Sequence, residues 1–236
     1  MTEERIISLD TETTGLSHKD GDRVIEIGAV EIIGNLTTGR NFHCYANPGR
    51  RQVHPEALAV HGISNEFLTS HPPITASIPG FLDFIGDSKI VIHNAPFDMG
   101  FLNNEFTIQK LPLIGNEIVD SLQIARELYP MGRNTLDALC NRFGIDRSGR
   151  DYHGALIDAE LLAQVYIKML ELDKLDLGDK LADRESKQDR SAKESRSSFS
   201  RPSRPPRPAL TPTEQELEIH KTFISSEIKN SIWATL

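Results

Sequence analysis

The chain has 236 residues, 38% of them hydrophobic and 25% charged, with a formal net charge of −8. That is enough apolar material for a real core, in one large domain or a medium one with a tail; the acidic balance excludes broad, nonspecific coating of nucleic acid but not a small site in which metal ions supply positive charge. Two cysteines, Cys44 and Cys140, are too few for a disulfide framework, and no window approaches the roughly 18 apolar residues of a membrane span, so a soluble, unexported, cytoplasmic protein is expected.

The first third reads as strands. "RIISLD" (5–10) is a short apolar run, "RVIEIGAVEII" (23–33) alternates over part of its length, and "GRNFHCYAN" (39–47) follows the turn-like "GNLTTG" (34–39), giving three consecutive antiparallel strands. "HPEALAVHG" (54–62) and "SIPGFLDFIG" (77–86) read as helices, the second ending at Gly86. "KIVIHN" (89–94) is a buried strand running into a helix over "APFDMGFLNNEFTIQKL" (95–111). "EIVDSLQIARELYP" is a strand leading into a helix, "NTLDALCNRFGI" a short helix closed by Gly144, and "HGALIDAELLAQVYIKML" a long helix. A meander followed by alternating strands and helices predicts an α/β fold with a mixed sheet flanked by helices, over residues 1–172.

Composition shifts sharply near residue 173. "DRESKQDRSAKESRSSFSRPSRPPRP" (183–208) has one aromatic residue and many Ser, Arg and Pro, too little apolar surface to offset the entropy of ordering, so 173–210 reads as a flexible linker. Beyond it, Thr211 is placed as an N-cap, Pro212 at the first helical position and Glu214 to complete a capping box, while Ile219, Phe223, Ile228, Ile232 and Trp233 recur near helical spacing. A lone striped helix at 211–236 either folds back onto the first domain or docks on a partner.

The chemistry-bearing residues cluster at element ends. Asp10 and Glu12 sit two apart at the end of the first strand and so project to one side, where two like charges repel unless something cationic lies between them. Asp98 lies just after another central strand, at the kind of strand end where open α/β sheets place ligands. His153 precedes the long helix, and Asp158 sits early in it among Leu156, Ile157, Leu161 and Leu162. Four carboxylates and a histidine from three elements are what metal-dependent phosphoryl chemistry requires: two hard cations about 3.5–4 Å apart share oxygen ligands and leave positions open for phosphate and water.

The ordered set "DTETTG", "HNAPFD" and "HGALIDA" resembles the DEDDh group of 3′–5′ exonucleases. More narrowly, "RIISLDTETTGL", "VIEIGAVEI", "HPEALAVHGIS", "VIHNAPFDMGFL" and "HGALIDAELLAQVYIKM" are similar to the proofreading (epsilon) subunits of bacterial DNA polymerase III, over residues 5–170. The resemblance implies a ribonuclease H-like exonuclease fold, with Asp10, Glu12, Asp98 and Asp158 holding two Mg²⁺ or Mn²⁺ ions and His153 acting as general base. It implies substrate contacts from Asp10, Glu12, Thr13, Gly15, Leu16, His61, Asn94, Phe97 and Asp158, with a single-stranded or frayed DNA 3′ end as substrate and the nucleoside 5′-monophosphate as product. It also implies that the tail binds the polymerase catalytic (alpha) subunit; the sliding-clamp motif that some relatives carry after the nuclease domain has no convincing copy after Leu172. Two rivals stay open on the residues alone: an RNA-trimming exonuclease of the same fold, since nothing visibly reads a 2′-OH, and a replisome adapter that no longer cuts.

Overall fold

The computed structural model describes residues 4–148 and 152–172, with Glu214, Gln215 and Glu218 of the tail. The linker expected over 173–210 lies outside the described residues, and so does the tail segment 211–236 apart from those three, which are helical and exposed. Among the described residues, no helix is long and apolar enough to cross a membrane.

Five strands form one sheet in the order β3-β2-β1-β4-β5, built from β1 (Arg5–Thr13), β2 (Val24–Ile33), β3 (Leu36–Tyr45), β4 (Lys89–Ile92) and β5 (Ile118–Asp120). The meander β1–β2–β3 is antiparallel, and β4 and β5 add in parallel to β1, so the mixed sheet expected from the sequence forms. Helices α1 (Pro55–His61), α2 (Asn65–Thr69), α3 (Ile78–Ile85), α4 (Ala95–Ile108), α5 (Ser121–Leu128) and α6 (Leu136–Phe143) follow in chain order, and a long helix α7 spans 155–172.

Three details depart from the sequence reading. The turn after β2 is only Gly34–Asn35, both with positive φ, and β3 already begins at Leu36; a tight two-residue hairpin with both central residues left-handed matches the twist of paired strands. The first strand runs on past Asp10 to Thr13, so both carboxylates are strand residues. The short helix α2 was not anticipated; Ser64 caps it by accepting from Phe67 N.

Alternation on β1 decides what each face of the sheet meets. Ile7 and Leu9 pack with Phe81 and Ile85 of α3 and Phe101, Leu102 and Phe106 of α4. Ile6 points the other way, with Val30, Ile32 and Val91, onto Ala159, Ala163 and Tyr166 of α7. Residues 8, 10 and 12 share that second face, and Ser8 Oγ indeed donates to the Ala159 carbonyl at 2.8 Å. On its outer side α7 packs through Leu161, Val165 and Met169 against Ala125 of α5 and Leu139 and Cys140 of α6. The sheet is thus sandwiched, and the C-terminal end of β1 opens between α4 and α7.

Candidate active site

Asp10 and Glu12 leave β1 on the face that α7 covers, and Thr11 between them faces α4. Asp98, in the first turn of α4, accepts from both Thr11 N (3.1 Å) and Thr11 Oγ1 (2.6 Å), which fixes this helix to the strand end. From the other side, ligating atoms of Glu12, His153 and Asp158 lie within 4.8 Å of one another, and His153 Nδ1 is 3.1 Å from Asp158 Oδ2. The His153 amide donates to the Val60 carbonyl (3.1 Å), so α1 supports the approach to α7. All five residues expected to be catalytic therefore converge at the end of one strand.

The electrostatics fit a cation. Burial, then the charges of Asp98, Glu12 and Asp158, push the Asp10 carboxyl well above the usual carboxylate range. Burial likewise raises Asp98, to about 7, against the opposing hydrogen bonds from Thr11. Carboxyls crowded in this way keep protons unless a positive charge replaces them. Asp10, Glu12, Asp98 and Asp158 offer the hard oxygen donors that Mg²⁺ and Mn²⁺ prefer, and cleft space remains beside them for substrate. The donor set fits divalent metal ions.

Two cavities meet there. One, of about 620 Å³, is lined by Glu12, Thr13, Gly15, Leu16, His61 and Phe97 among others, so it gathers most of the residues expected to touch substrate. Leu16 is 85% exposed, too much for a core role. Thr13 Oγ1 is spent on the Gly15 carbonyl (2.6 Å), leaving its contribution to backbone and shape. His61 is buried and, by that burial, held below its ordinary pKa; its Nδ1 accepts from Ile63 N, and Nε2 lies by the Thr13 backbone without completing a hydrogen bond. Asn94 is not in this group. It lines the second cavity, about 880 Å³, with Asp10, Arg126, Asn134, His153 and Asp158.

The sequence reading missed three groups. Asp22, buried, accepts from Ser17 N (3.1 Å), Thr14 Oγ1 (3.1 Å) and Arg51 Nε (2.8 Å), and these bonds hold its carboxyl low despite burial. They tie the Thr14–Ser17 loop, which carries Leu16, to the segment before α1. Glu26 of β2 accepts from the Ala155 amide. Arg126 enters the second cavity from α5. Only Glu26 left a signal, as an acid inside an apolar run; Asp22, Arg51 and Arg126 come from segments whose proximity depends on the tertiary fold.

The comparisons agree with this geometry. A family model described as "Exonuclease" matches residues 7–166. The DNA polymerase III subunit epsilon of Rickettsia conorii is 42% identical over 244 aligned residues, covering 98% of this chain and all of that protein. The subunit of the same name from Salmonella typhimurium is 49% identical over 173 residues, 70% of this chain and 71% of its own. Among solved structures, the nuclease domain of 3'hExo, described as a DEDDh family member bound to rAMP, superposes with a TM-score of 0.63 at 18% identity, over 72% of this chain and 92% of that one, a likeness of fold. Since the five acidic and histidine positions meet at one strand end and the rickettsial likeness runs through the tail as well, the chain belongs to the DEDDh exonucleases and, within them, to the DNA polymerase III epsilon subunits.

Proposed function

We infer that the chain is the 3′–5′ exodeoxyribonuclease that proofreads for the replicative DNA polymerase III, removing mispaired 3′-terminal nucleotides as 5′-monophosphates. The observation that carries this reading is the convergence of Glu12, His153 and Asp158 within 4.8 Å, beside Asp10, where two cavities meet. The terminal nucleoside takes the cavity of Thr13, Gly15, Leu16, His61 and Phe97, with Leu16 and Phe97 against the base. The strand 5′ to the scissile bond leaves along the second cavity past Asn94 and Arg126. Only an unpaired end reaches so far in, and a mispaired terminus frays at lower cost than a matched one, so the site selects errors without reading sequence.

Asp10, Glu12, Asp98 and Asp158 would hold two divalent ions, Mg²⁺ or Mn²⁺, through their carboxylate oxygens. When bound, these ions offset the carboxylate charge and polarise the scissile phosphate and the attacking water. Asp98 is itself set by Thr11, and Asp158 by the first turn of α7. His153 is the general base: imidazole suits proton transfer near neutral pH, Asp158 orients the ring through Nδ1, and Val60 fixes its backbone. The tail, 211–236, is assigned to binding the polymerase alpha subunit, which keeps the nuclease at high effective concentration near the primer end.

The test is release of nucleoside 5′-monophosphates from matched DNA and RNA oligonucleotides, with Mg²⁺ or chelator, by the wild type and Asp10→Ala. Metal-dependent loss from the DNA 3′ end, absent in the variant, is expected. Faster trimming of RNA would move the protein to RNA processing, and no release from either would leave only the adapter. Deleting 211–236 should spare release from single strands and abolish co-elution with alpha.

A further inference from the structure

Glu26 is a buried carboxylate that no step above uses. It lies on β2 directly opposite Glu12, and Gly28, two residues along the same face, lies opposite Asp10. Both of its oxygens are engaged: Oε2 accepts from Ala155 N at 3.1 Å, and Oε1 is 2.7 Å from Nε2 of His43 on β3.

Ala155 opens α7, and the residue before it, Gly154, has no side chain with which to cap the helix. Glu26 does that work from another strand. The contact is close: a Cβ on Gly28 would stand 2.2 Å from both the Ala155 carbonyl carbon and Leu156 N, so the first turn of α7 rests on the β2 backbone itself. One turn later Ser8 Oγ binds the Ala159 carbonyl. Between those two attachments lies Asp158, and two residues before the first lies His153. The seat of Ala155 on β2 therefore sets where both side chains stand relative to Glu12.

A carboxylate buried for packing alone would be a poor choice, because an apolar residue fills the space without the desolvation cost. We propose that Glu26, held by His43, is a positioning residue of the metal centre, which seats the first turn of α7 so that Asp158 and His153 meet Glu12. It touches neither substrate nor the reacting atoms. The proposal rests on the metal-dependent nuclease reading, and its magnitude follows from partners that orient metal ligands, whose loss costs about 10–100-fold in metal affinity or activity.

The full-length chain and its Glu26→Ala, Glu26→Gln and His43→Phe variants are compared by calorimetric titration with Mn²⁺, by melting temperature in chelator, and by kcat and KM on a single-stranded DNA oligonucleotide. Glu26→Ala should bind Mn²⁺ and turn over about 10–100-fold less well, with KM for DNA within about twofold of wild type. Glu26→Gln keeps an oxygen for the Ala155 amide and should recover most of the loss, as a merely charge-dependent role would not. A folded Glu26→Ala protein with wild-type Mn²⁺ affinity and kcat overturns the proposal, whatever its melting temperature. Should Glu26→Ala fail to fold, His43→Phe decides: a several-fold loss of Mn²⁺ affinity is expected, and none overturns it. A wild-type chain that takes up no Mn²⁺ refutes the nuclease reading and this inference together, whereas wild-type uptake unaltered in the variants removes the inference alone.

Discussion

Asp98, proposed as a metal ligand, is costly to the metal-free fold when charged. Its pKa rises from 3.8 to about 7 because burial disfavours the charge more than Thr11 supports it. A carboxyl raised in the folded state binds its proton more tightly there than in the unfolded chain, so the metal-free protein gains stability as pH falls from about 7 toward 3.8 and loses it as pH rises through that window. The melting temperature in chelator, measured between pH 5 and pH 8, should therefore decline relative to an Asp98→Asn variant, in which this contribution is gone. Saturating Mn²⁺ should abolish the wild type's decline with pH by taking the place of the proton, and Mn²⁺ affinity should strengthen with pH over the same range. At His153 the expectation is kinetic: His153→Ala should lower kcat by about 10²–10⁴-fold, the usual worth of general-base catalysis, and a rate near wild type would remove that role.

Strand β2 is where the sequence was easiest to read and easiest to under-read. Its apolar run gave the strand, and a strand covered on both faces needs little alternation. For the same reason its two acids were hidden by the pattern, although each is buried with partners: Glu31 accepts from Arg5, Thr38 and Arg40, and Glu26 from Ala155. The four carboxylates that converge at the end of β1 were legible because each falls at an element end in an order shared with known exonucleases. The networks of Asp22 and Glu26 were not, since the partners that join them to other elements, Arg51 and Ala155, lie 29 and 129 residues away in the chain. Asn94, expected among the substrate contacts, stands apart from Leu16, His61 and Phe97: its backbone is left-handed (φ 71), its backbone N–H donates to Asp120 Oδ1 (3.1 Å), and it lines the other cavity. Gly28 tests the element directly. An added Cβ would meet backbone at 2.2 Å, and backbone cannot swing aside, so α7 must lift. Gly28→Ala should destabilise the fold by at least the ~1–3 kcal/mol of an overpacked core and weaken Mn²⁺ binding; denaturant titration together with calorimetry would detect both.

Across the whole nuclease domain, the acidic cluster is divided between two cavities, Asp10 and Asp158 lining one and Glu12 the other, and the two are lined by residues of different chemistry. The one proposed for the terminal nucleoside is walled by Leu16, His61 and Phe97, residues suited to a base and a sugar edge. The other carries Arg126 on its wall, exposed and so able to meet a phosphate without leaving water entirely. The geometry predicts a division of labour that two substrates can separate. Thymidine 5′-monophosphate p-nitrophenyl ester presents a terminal nucleotide and a leaving group but no upstream strand, whereas an oligonucleotide presents both. Arg126→Ala should raise KM for the oligonucleotide about tenfold, the scale of one charge-assisted hydrogen bond, and leave hydrolysis of the ester unchanged. Leu16→Ala should impair both, because each substrate places a base in the first cavity. Equal effects of Arg126→Ala on the two substrates would mean that the strand does not run along the second cavity, and the path would have to be sought elsewhere on the domain's surface.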